Sequence, residues 1–322
     1  MNEFELIARF FSRPPRATSV HLGVGDDAAL LAPSPGCQLV VSVDMLVAGR
    51  HFFTDVDPEK LGHKALAVNL SDMAAMGATP KWALLAGALP DSDVTWLTAF
   101  TRGFYALAEA YGVDLVGGDT TRGPLNLCVT ILGEAPNGQA LTRAGAKPGD
   151  DIYVSGELGD AALALAAMTG RMQFDGDAFD AARVRLETPM PRVALGIALR
   201  GVATAALDVS DGLVGDLAHI LERSGVGASV ELAAVPRSPA LTRLLGGAQR
   251  ELALECLLAG GDDYELCFTA PREAAGRLAA IAASTALPLS RIGTITQSPG
   301  LVVRDEGGAP LASMPRAFEH FA

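Results

Sequence analysis

The fold is decided by one stretch, Leu39-Val40-Val41-Ser42-Val43-Asp44, and by the segment that follows it, residues 58–77. The first stretch is rich in β-formers and predicts a strand that ends at Asp44. Asp57 is a typical N-cap, Pro58 is favoured at the first helical position, and Gly77 is a typical C-terminal stop. The spacing therefore predicts a helix from Pro58 to about residue 76, and a strand followed by a helix is the unit of α/β layers.

The predicted helix carries a carboxylate on its apolar side. Leu61, Ala65 and Val68 recur at helical spacing, and the same stripe continues through position 72 to Met76. Position 72 is Asp. A carboxylate on a buried stripe destabilises a protein unless it is paired or binds a metal. Asp72 is therefore a candidate metal ligand.

Strands and helices alternate along the rest of the chain, which predicts an α/β (α+β) fold. The segment Lys147-Pro148-Gly149-Asp150-Asp151 predicts a domain boundary, because Pro-Gly interrupts regular structure and a new strand follows. The expected domains are 1–148 and 149–322. Further helices are predicted near 91–111, 159–169, 191–199, 213–223 and 271–283. Further strands are predicted near 113–116, 125–132, 152–155, 203–207, 228–232, 264–269 and 291–296.

Composition limits the classes of partner. The chain has 322 residues, 49% of them apolar, and a net charge of -12. Such an acidic chain is not expected to bind nucleic acid or an anionic membrane. There is no apolar run of the ~18 residues that a membrane span requires, and the first residues do not resemble a signal peptide. We therefore expect a cytoplasmic protein.

Four aspartate-centred segments, which we interpret as turns, carry the predicted chemistry. They are Gly25-Asp26-Asp27, Gly117-Gly118-Asp119-Thr120-Thr121, Asp208-Val209-Ser210-Asp211-Gly212 and Gly260-Gly261-Asp262-Asp263. Mg²⁺ prefers carboxylate oxygens, and glycine allows the backbone to approach a phosphate closely. The pattern predicts an enzyme that handles several phosphates through several metal ions. The metal candidates are Asp26, Asp27, Asp44, Asp72, Asp119, Asp208 and Asp211. Any one Asp is equally compatible with a capping or turn role, but the local sequence favours a functional role for Asp72, Asp119, Asp208 and Asp211.

Other candidate residues are open to two interpretations. His51 follows the first predicted strand and is either a ligand contact or an ordinary polar residue. Lys64 and Arg143 suit either phosphate contact or surface charge. Ser210, between two Asp residues, suits contact with a phosphate oxygen. The aromatic tail around Phe318 either covers the core or stacks on a flat ligand ring. No P-loop or protein-kinase motif occurs.

Six blocks of sequence occur in order along nearly the whole chain. They are Gly25-Asp26-Asp27-Ala28-Ala29, Asp44-Met45-Leu46-Val47 through His51-Phe52, Asn69-Leu70-Ser71-Asp72-Met73-Ala74-Ala75-Met76-Gly77-Ala78, Gly117-Gly118-Asp119-Thr120, Asp208-Val209-Ser210-Asp211-Gly212-Leu213 and Gly260-Gly261-Asp262-Asp263-Tyr264-Glu265-Leu266. Together they resemble the thiamine-monophosphate kinase family of the aminoimidazole-ribonucleotide-synthetase-like superfamily. The third and fifth blocks in combination are highly specific.

The resemblance implies two α/β-type domains, with the N-terminal sheets of two subunits paired in a homodimer. It implies that ATP phosphorylates thiamine monophosphate to thiamine diphosphate by direct in-line transfer. The implied Mg²⁺ ligands are Asp27, Ser42, Asp44, Asp72, Asp119, Asp208 and Asp211. The implied ATP contacts are Tyr105, Gly118, Asp119, Arg143 and Ser210. The implied contacts to the thiamine moiety are His51, Asp262 or Asp263, and Phe318.

Three positions depart from the family pattern. Val43 stands where Thr is common, so that a hydroxyl contact is lost, although its carbonyl remains. Asp262 stands where Glu is usual, which shortens the reach of the carboxylate. Phe318 lies in a loosely aligned tail. These departures affect one metal contact and the details of thiamine recognition.

Three alternatives remain. A selenophosphate synthetase would need a reactive Cys or selenocysteine with a Lys near the N-terminus, but the first Cys here is Cys37. An aminoimidazole ribonucleotide synthetase fits the Asp72 and tail blocks less well. A non-catalytic nucleotide- or metal-binding regulator would bind ATP without turnover, and the near-complete Asp set disfavours it.

Overall fold

The computed structural model describes residues 2–173 and 176–316, which divide into two compact units. The first comprises Met1–Met73 and Ala78–Gly138, and the second comprises Ala74–Gly77 and Gln139–Ala322. The chain thus passes to the second unit after Gly138. The domain boundary between residues 148 and 149 stays a prediction.

The first unit begins with short elements. Helix α1 (Glu3–Leu6) leads into a π-helical turn (Ile7–Phe11), and strands β1 (Val20–Leu22) and β2 (Leu30–Leu31) form a small antiparallel pair. The amides of Arg16 and Ala17 both donate to the buried carboxylate of Asp114, each at 2.9 Å. These bonds attach the N-terminal segment to the rest of the unit.

The main sheet of the first unit has the order β3-β6-β4-β5. Strand β6 pairs antiparallel with β3 and β4, and β4 pairs parallel with β5. Helix α2 leads from β3 to β4, and α3 makes the crossover from β4 to β5 that a parallel pair requires. The bounds are β3 (Cys37–Val47), α2 (Pro58–Ala75), β4 (Thr79–Leu89), α3 (Val94–Tyr111), β5 (Asp114–Arg122) and β6 (Asn126–Pro136).

Local chemistry explains where the two helices begin and end. The Asp57 carboxylate accepts the amide of Glu59 at 2.8 Å, which confirms the predicted cap of α2. Asp93 caps α3 in the same way, accepting the amide of Thr95 at 2.7 Å. Gly112 ends α3 in the left-handed conformation (φ 66°). The predicted helices 58–76 and 91–111 are both confirmed, the second beginning at Val94.

Helices α2 and α3 cross at very short distance. A Cβ atom added to Gly103 of α3 would lie 1.8 Å from the carbonyl oxygen of Glu59 in α2. Only glycine permits this backbone-to-backbone approach. Beside the crossing, Phe100 and Phe104 of α3 are almost completely buried, with ring centroids 6.3 Å apart. These aromatic side chains of α3 are therefore part of the core of the first unit.

The second unit contains a mixed sheet with the order β12-β9-β11-β7-β10-β8. Its pairs are antiparallel except β12 with β9. The strands are β7 (Asp151–Ser155), β8 (Ala205–Val209), β9 (Gly227–Glu231), β10 (Glu265–Ala270), β11 (Leu289–Thr296) and β12 (Gly300–Arg304). The helices are α4 (Asp160–Met168), α5 (Asp177–Glu187), α6 (Val193–Ala198), α7 (Leu213–Ser224), α8 (Pro239–Leu245), α9 (Arg250–Ala259) and α10 (Ala275–Thr285).

The helices and strands predicted in both halves are confirmed, but some of their predicted bounds were wrong and several elements were not predicted. Strand β3 continues to Val47 instead of ending at Asp44. Sequence reasoning missed β4, whose Pro80, alanines and glycine are poor strand formers, and α5, which has few apolar residues to mark a stripe. It also missed α8, α9 and β12. Among the described residues, no helix is long and apolar enough to cross a membrane.

Candidate active site

The two faces of strand β3 differ in how far they are buried. Successive side chains of a strand point to opposite sides. Ser42 and Asp44 share one partly buried face with the buried Val40 and Leu46. The opposite face carries exposed apolar side chains, namely Leu39, Val41, Val43 and Met45. The sequence departure at Val43 therefore lies on the face opposite to Ser42 and Asp44, so only its backbone remains available to a metal on their side.

The structure brings Ser42 and Asp72 together. Asp72 is partly buried near the end of α2, and its Oδ2 accepts a hydrogen bond of 2.5 Å from the Ser42 hydroxyl. Two of the predicted metal ligands, 30 residues apart in sequence, are thus in direct contact. The Asp that departs from the apolar pattern of the helix thus has its carboxylate next to the Ser42 hydroxyl, and Asp44 lies two residues along the same strand face.

Asp119 lies inside β5 and not in a turn, which corrects the interpretation of the Gly117–Thr121 segment. The parallel pairing with β4 continues through it, with Gly118 opposite Leu85 and Asp119 opposite Ala86. At Gly118 (φ 151°), an added Cβ would lie 1.9 Å from the Leu85 carbonyl oxygen. This glycine is therefore required for the approach of two strands. The side chain of Asp119 is exposed.

The first acidic turn lies in the loop between β1 and β2. Asp26 and Asp27 are both exposed, and the Asp26 carboxylate accepts the amide of Asp27 at 2.8 Å. Asp26 thus shapes the turn, which is the capping role that the sequence left open for each Asp. The metal role of Asp27 stays a prediction.

His51 has a defined ring orientation. Its Nδ1 accepts a hydrogen bond of 3.0 Å from the backbone amide of Val47, at the end of β3. In the neutral ring, the proton therefore resides on Nε2. His51 closes the turn after β3, and its contact with thiamine stays a prediction. Lys64 is 4% exposed in α2, which excludes the interpretation as a surface charge.

Tyr105 lies in α3 and is 6% exposed. Its hydroxyl donates to the carbonyl of Phe11 at 3.1 Å, and the guanidinium of Arg13 lies 3.5 Å from its ring centroid. Burial raises the pKa of Tyr105 to about 12. Its observed contacts thus fasten the N-terminal segment onto α3, and its contact with ATP stays a prediction.

In the second unit, two acidic segments pack against each other. The amide of Asp262 donates to the carbonyl of Ser210 at 2.9 Å, and the amide of Tyr264 donates to the carbonyl of Val209 at 2.8 Å. A Cβ added to Gly261 would lie 2.4 Å from the Ser210 carbonyl oxygen. This glycine of the 260–263 block therefore serves a backbone-to-backbone approach inside the protein, where the sequence suggested a phosphate.

Backbone amides of the 208–212 segment are also hydrogen-bonded, to a carboxylate of α7. Asp216, in the first turn of α7, accepts the backbone amides of Ser210 and Asp211. Burial, with the like charges of Asp208 and Asp211, raises the pKa of Asp216 to about 7. Sequence reasoning missed Asp216. The available indication was an acid beside the apolar positions of a predicted helix, the argument already used for Asp72.

The 262–264 segment has an unusual backbone. Asp262 (φ 68°) and Tyr264 (φ 50°) both adopt the left-handed conformation, and the Tyr264 hydroxyl donates to Asp262 at 3.1 Å. Such conformations in non-glycine residues cluster at functional sites. Asp263 instead accepts the amide of Gly159, just before α4, through both carboxylate oxygens at 2.9 Å. Of the two acids predicted to contact thiamine, Asp263 is therefore the one whose carboxylate holds the backbone at the start of α4.

A buried ionic network adjoins these residues. Glu265 is fully buried and binds Arg192 (Nε–Oε2 2.7 Å), Arg185 (3.2 Å) and the Ser155 hydroxyl (2.6 Å). Burial raises the pKa of Asp263 well above its usual range, and the nearby charge of Glu265 adds to the effect. Buried charges are stable only when they are paired in this way.

The remaining predicted residues are Arg143 and Phe318. Arg143 is exposed in a loop. The hydroxyl of Ser224 holds this loop by accepting hydrogen bonds from the amides of Gly145 and Ala146, both at 3.2 Å. The exposed side chain fits either of the two interpretations left open. Phe318 lies outside the described residues.

The donor set of the first unit fits Mg²⁺. Among residues 2–173 and 176–316 there is no ready-made cluster of three or more His, Cys, Asp or Glu side chains that could hold a metal. Mg²⁺ does not require one, because it usually takes one or two carboxylates and completes its octahedron with water and phosphate oxygens. The hydroxyl and carboxylate of the Ser42–Asp72 pair are oxygen donors of that kind.

Comparisons with known proteins agree with this architecture. The family described as AIR synthase related protein, N-terminal domain, matches residues 25–135, and its C-terminal counterpart matches residues 147–306. The chain is 47% identical over 325 residues to a thiamine-monophosphate kinase from Escherichia coli (strain K12), covering 99% of this chain and 98% of that protein.

Two solved structures extend the comparison. The crystal structure of a thiamine-monophosphate kinase from Stenotrophomonas maltophilia K279a superposes with a TM-score of 0.84, at 48% identity and 95% coverage of both chains. A structure of AaThiL complexed with AMPPCP and TMP superposes with a TM-score of 0.78, at 30% identity, covering 90% of this chain and 89% of that one.

The fold and the two matching domains define a protein of the AIR-synthase-related class. Within that class, the chain belongs to the thiamine-monophosphate kinase family, because it is similar to members of that family over essentially its full length. The expectation from the six sequence blocks is thereby confirmed.

Proposed function

We propose that this protein transfers the γ-phosphoryl group of ATP to thiamine monophosphate, forming ADP and thiamine diphosphate. The observation that carries the proposal is the contact of Ser42 with Asp72 in a chain 47% identical to a thiamine-monophosphate kinase. A structure of a 30%-identical protein complexed with AMPPCP and TMP supports both the nucleotide and the acceptor.

Phosphoryl transfer requires positioning and charge neutralisation more than covalent catalysis. When bound, Mg²⁺ supplies the positive charge that lets two anionic phosphate groups approach. In the first unit, the proposed ligands are Asp27, Ser42, Asp44, Asp72 and Asp119. In the second unit, they are Asp208 and Asp211. No general base is assigned, because a phosphate monoester oxygen is already anionic near neutral pH.

The remaining site residues keep the roles that the family resemblance implies. Tyr105, Gly118, Asp119, Arg143 and Ser210 are proposed to contact ATP. His51, Asp262 or Asp263, and Phe318 are proposed to contact the thiamine moiety, whose cationic ring suits acidic and aromatic partners. The left-handed backbone of Asp262 and its bond from Tyr264 support Asp262 over Asp263 for this contact. The cytoplasm, where ATP is supplied, is part of the same proposal.

The proposed reaction is tested by incubating the purified protein with ATP, Mg²⁺ and thiamine monophosphate and separating the products by chromatography. We expect ADP and thiamine diphosphate in equal amounts and no product when a chelator is added. Bound ATP without product would contradict the proposal and favour the non-catalytic regulator.

We propose further that the protein is a homodimer that pairs through β3. This strand lies at the edge of the first sheet, and its outward face carries four large apolar side chains that are 48–58% exposed. A long apolar edge strand left open to water is prone to pair with another chain. A second copy of the same strand supplies a matching apolar face.

Replacing Val43 by Asp is expected to convert the dimer into a monomer. Val43 is 58% exposed, so the isolated chain tolerates a carboxylate there, whereas two copies meeting across the interface would bury like charges. Light scattering coupled to size exclusion measures the mass. The matched control is Val302→Asp, on β12 at an edge of the second sheet, which should leave the mass unchanged. A wild-type protein that is already monomeric would contradict the proposal.

A further inference from the structure

Asp216 makes two hydrogen bonds to a segment that carries proposed ligands. A single oxygen, Oδ2, accepts the backbone amides of Ser210 at 3.1 Å and Asp211 at 3.0 Å. The residue is 4% exposed. One buried atom thus fixes two consecutive peptide units between Asp208 and Gly212.

The carboxylate is itself held in place. Asp216 lies in the first turn of α7, and its own amide donates to the carbonyl of Gly212 at 3.0 Å. The helix is anchored in the core of the second unit by Leu217 and Ile220, which are completely buried. The position of Oδ2 is therefore set by the packing of a whole helix and not by the mobile geometry of a surface loop.

The opposite side of the segment is held by other bonds. The carbonyls of Val209 and Ser210 accept amides from Tyr264 and Asp262. Asp216 supplies the hydrogen-bond partner on the amide side, so the backbone at Ser210 is fixed from both sides. Side-chain directions follow backbone directions, so fixing these peptides also fixes where the side chains of Ser210 and Asp211 begin.

The fold alone gives little reason for an acid at this position. Asp216 is almost completely buried, and a buried carboxylate is costly unless its oxygens accept hydrogen bonds. The two hydrogen bonds to the amides of Ser210 and Asp211 give this buried carboxylate a role, which is to fix the backbone of the 208–212 segment.

We propose that Asp216 is a positioning residue of the phosphoryl-transfer site: it holds the 208–212 backbone so that Asp208, Ser210 and Asp211 present their oxygens to metal and nucleotide. The inference rests on the proposed function. It assigns no direct contact between Asp216 and either substrate.

The test compares Asp216→Ala, which removes the acceptor, with Asp216→Asn, whose amide oxygen can still accept both bonds. Asp305→Ala is the matched control, because the Asp305 carboxylate also accepts two backbone amides, from Gly307 and Ala309, just after β12 at the far edge of the same sheet. Each variant is first checked by circular dichroism and thermal unfolding.

Two readouts separate positioning from general stability. Hydrogen–deuterium exchange of the 208–212 segment measures how firmly the backbone is held. The Mg²⁺ concentration for half-maximal activity, at saturating ATP and thiamine monophosphate, measures the metal site. For Asp216→Ala we expect faster exchange and a Mg²⁺ requirement raised by about 10- to 100-fold, the usual effect of removing a group that orients a ligand. Asp216→Asn and Asp305→Ala should remain within about threefold of wild type on this readout.

The proposal is overturned if Asp216→Ala speeds exchange without changing the Mg²⁺ requirement, if neither readout changes, or if Asp216→Asn behaves like Asp216→Ala. If the alanine variant does not fold, Asp216→Glu, which displaces the oxygen by one methylene, must raise the Mg²⁺ requirement. A wild-type protein without kinase activity would refute the proposed function separately. In that case, Mn²⁺ binding in the presence of AMPPCP, followed by electron paramagnetic resonance, replaces activity and must weaken in Asp216→Ala.

Discussion

Replacing Asp72 by Asn is expected to lower kcat for thiamine diphosphate formation by about 10²–10³-fold while the protein stays folded. Loss of one charged ligand removes several kcal/mol of charge stabilisation at a metal-assisted transfer site, and each 1.36 kcal/mol is tenfold in rate. Asn has nearly the shape of Asp, and its amide oxygen can still accept the bond from Ser42. Steady-state kinetics over a range of Mg²⁺ concentrations, with circular dichroism of the same samples, measures both parts of the expectation.

The matched control for Asp72 is Asp93→Asn. Asp93 caps α3 in the same unit, and Asn caps a helix as well as Asp does, so neither stability nor activity should change. Ser42→Ala is informative as well, since it removes the partner of Asp72 and leaves the carboxylate. Near-normal activity in Asp72→Asn would show that the carboxylate has a structural role only.

Replacing Gly103 by Ala is expected to destabilise the first unit by about 3 kcal/mol and to lower its Tm by about 10 °C. Alanine normally favours a helix over glycine by about 1 kcal/mol. Here its Cβ would lie 1.8 Å from the carbonyl oxygen of Glu59, and a backbone atom retreats only if α2 moves with it. Trp82 and Trp96, the two tryptophans of the chain, both lie in the first unit, so tryptophan fluorescence reports on its unfolding selectively.

Gly276→Ala provides the opposite control. Gly276 is a helical glycine of α10 with open space where a Cβ would be placed. This change should stabilise the second unit by up to about 1 kcal/mol, measured by far-ultraviolet circular dichroism, and leave the tryptophan transition unchanged. An unchanged Tm in Gly103→Ala would mean that the two helices separate easily.

The contrast between α2 and β3 shows what local sequence patterns can and cannot predict. The predicted bounds of α2 were accurate because its cap, its first proline and its terminal glycine are local features. The stretch around Ser42 has apolar residues at both odd and even positions. Alternation alone therefore could not tell which face is buried. The tertiary structure decided it: the side of Ser42, which contacts Asp72 of α2, is the partly buried one.

The candidate site divides in the same way. Motif order was enough to name Asp72, Asp208 and Asp211 and to identify the family. It misjudged some glycines, since Gly118 and Gly261 are required by neighbouring backbones within the protein. Motif order also missed Asp216. This residue accepts hydrogen bonds from the backbone amides of Ser210 and Asp211, and the motif identifies that segment only by its side chains.

The sequence by itself determined the type of most of the elements, the family and the acidic residues proposed for metal, because capping, periodicity and motif order are properties of neighbours along the chain. Only the tertiary structure decided that Ser42 contacts Asp72, that Asp216 holds the 208–212 segment, and that the apolar side of β3 is left open to solvent. Those facts depend on which distant segments pack together, and packing is set by the whole chain at once.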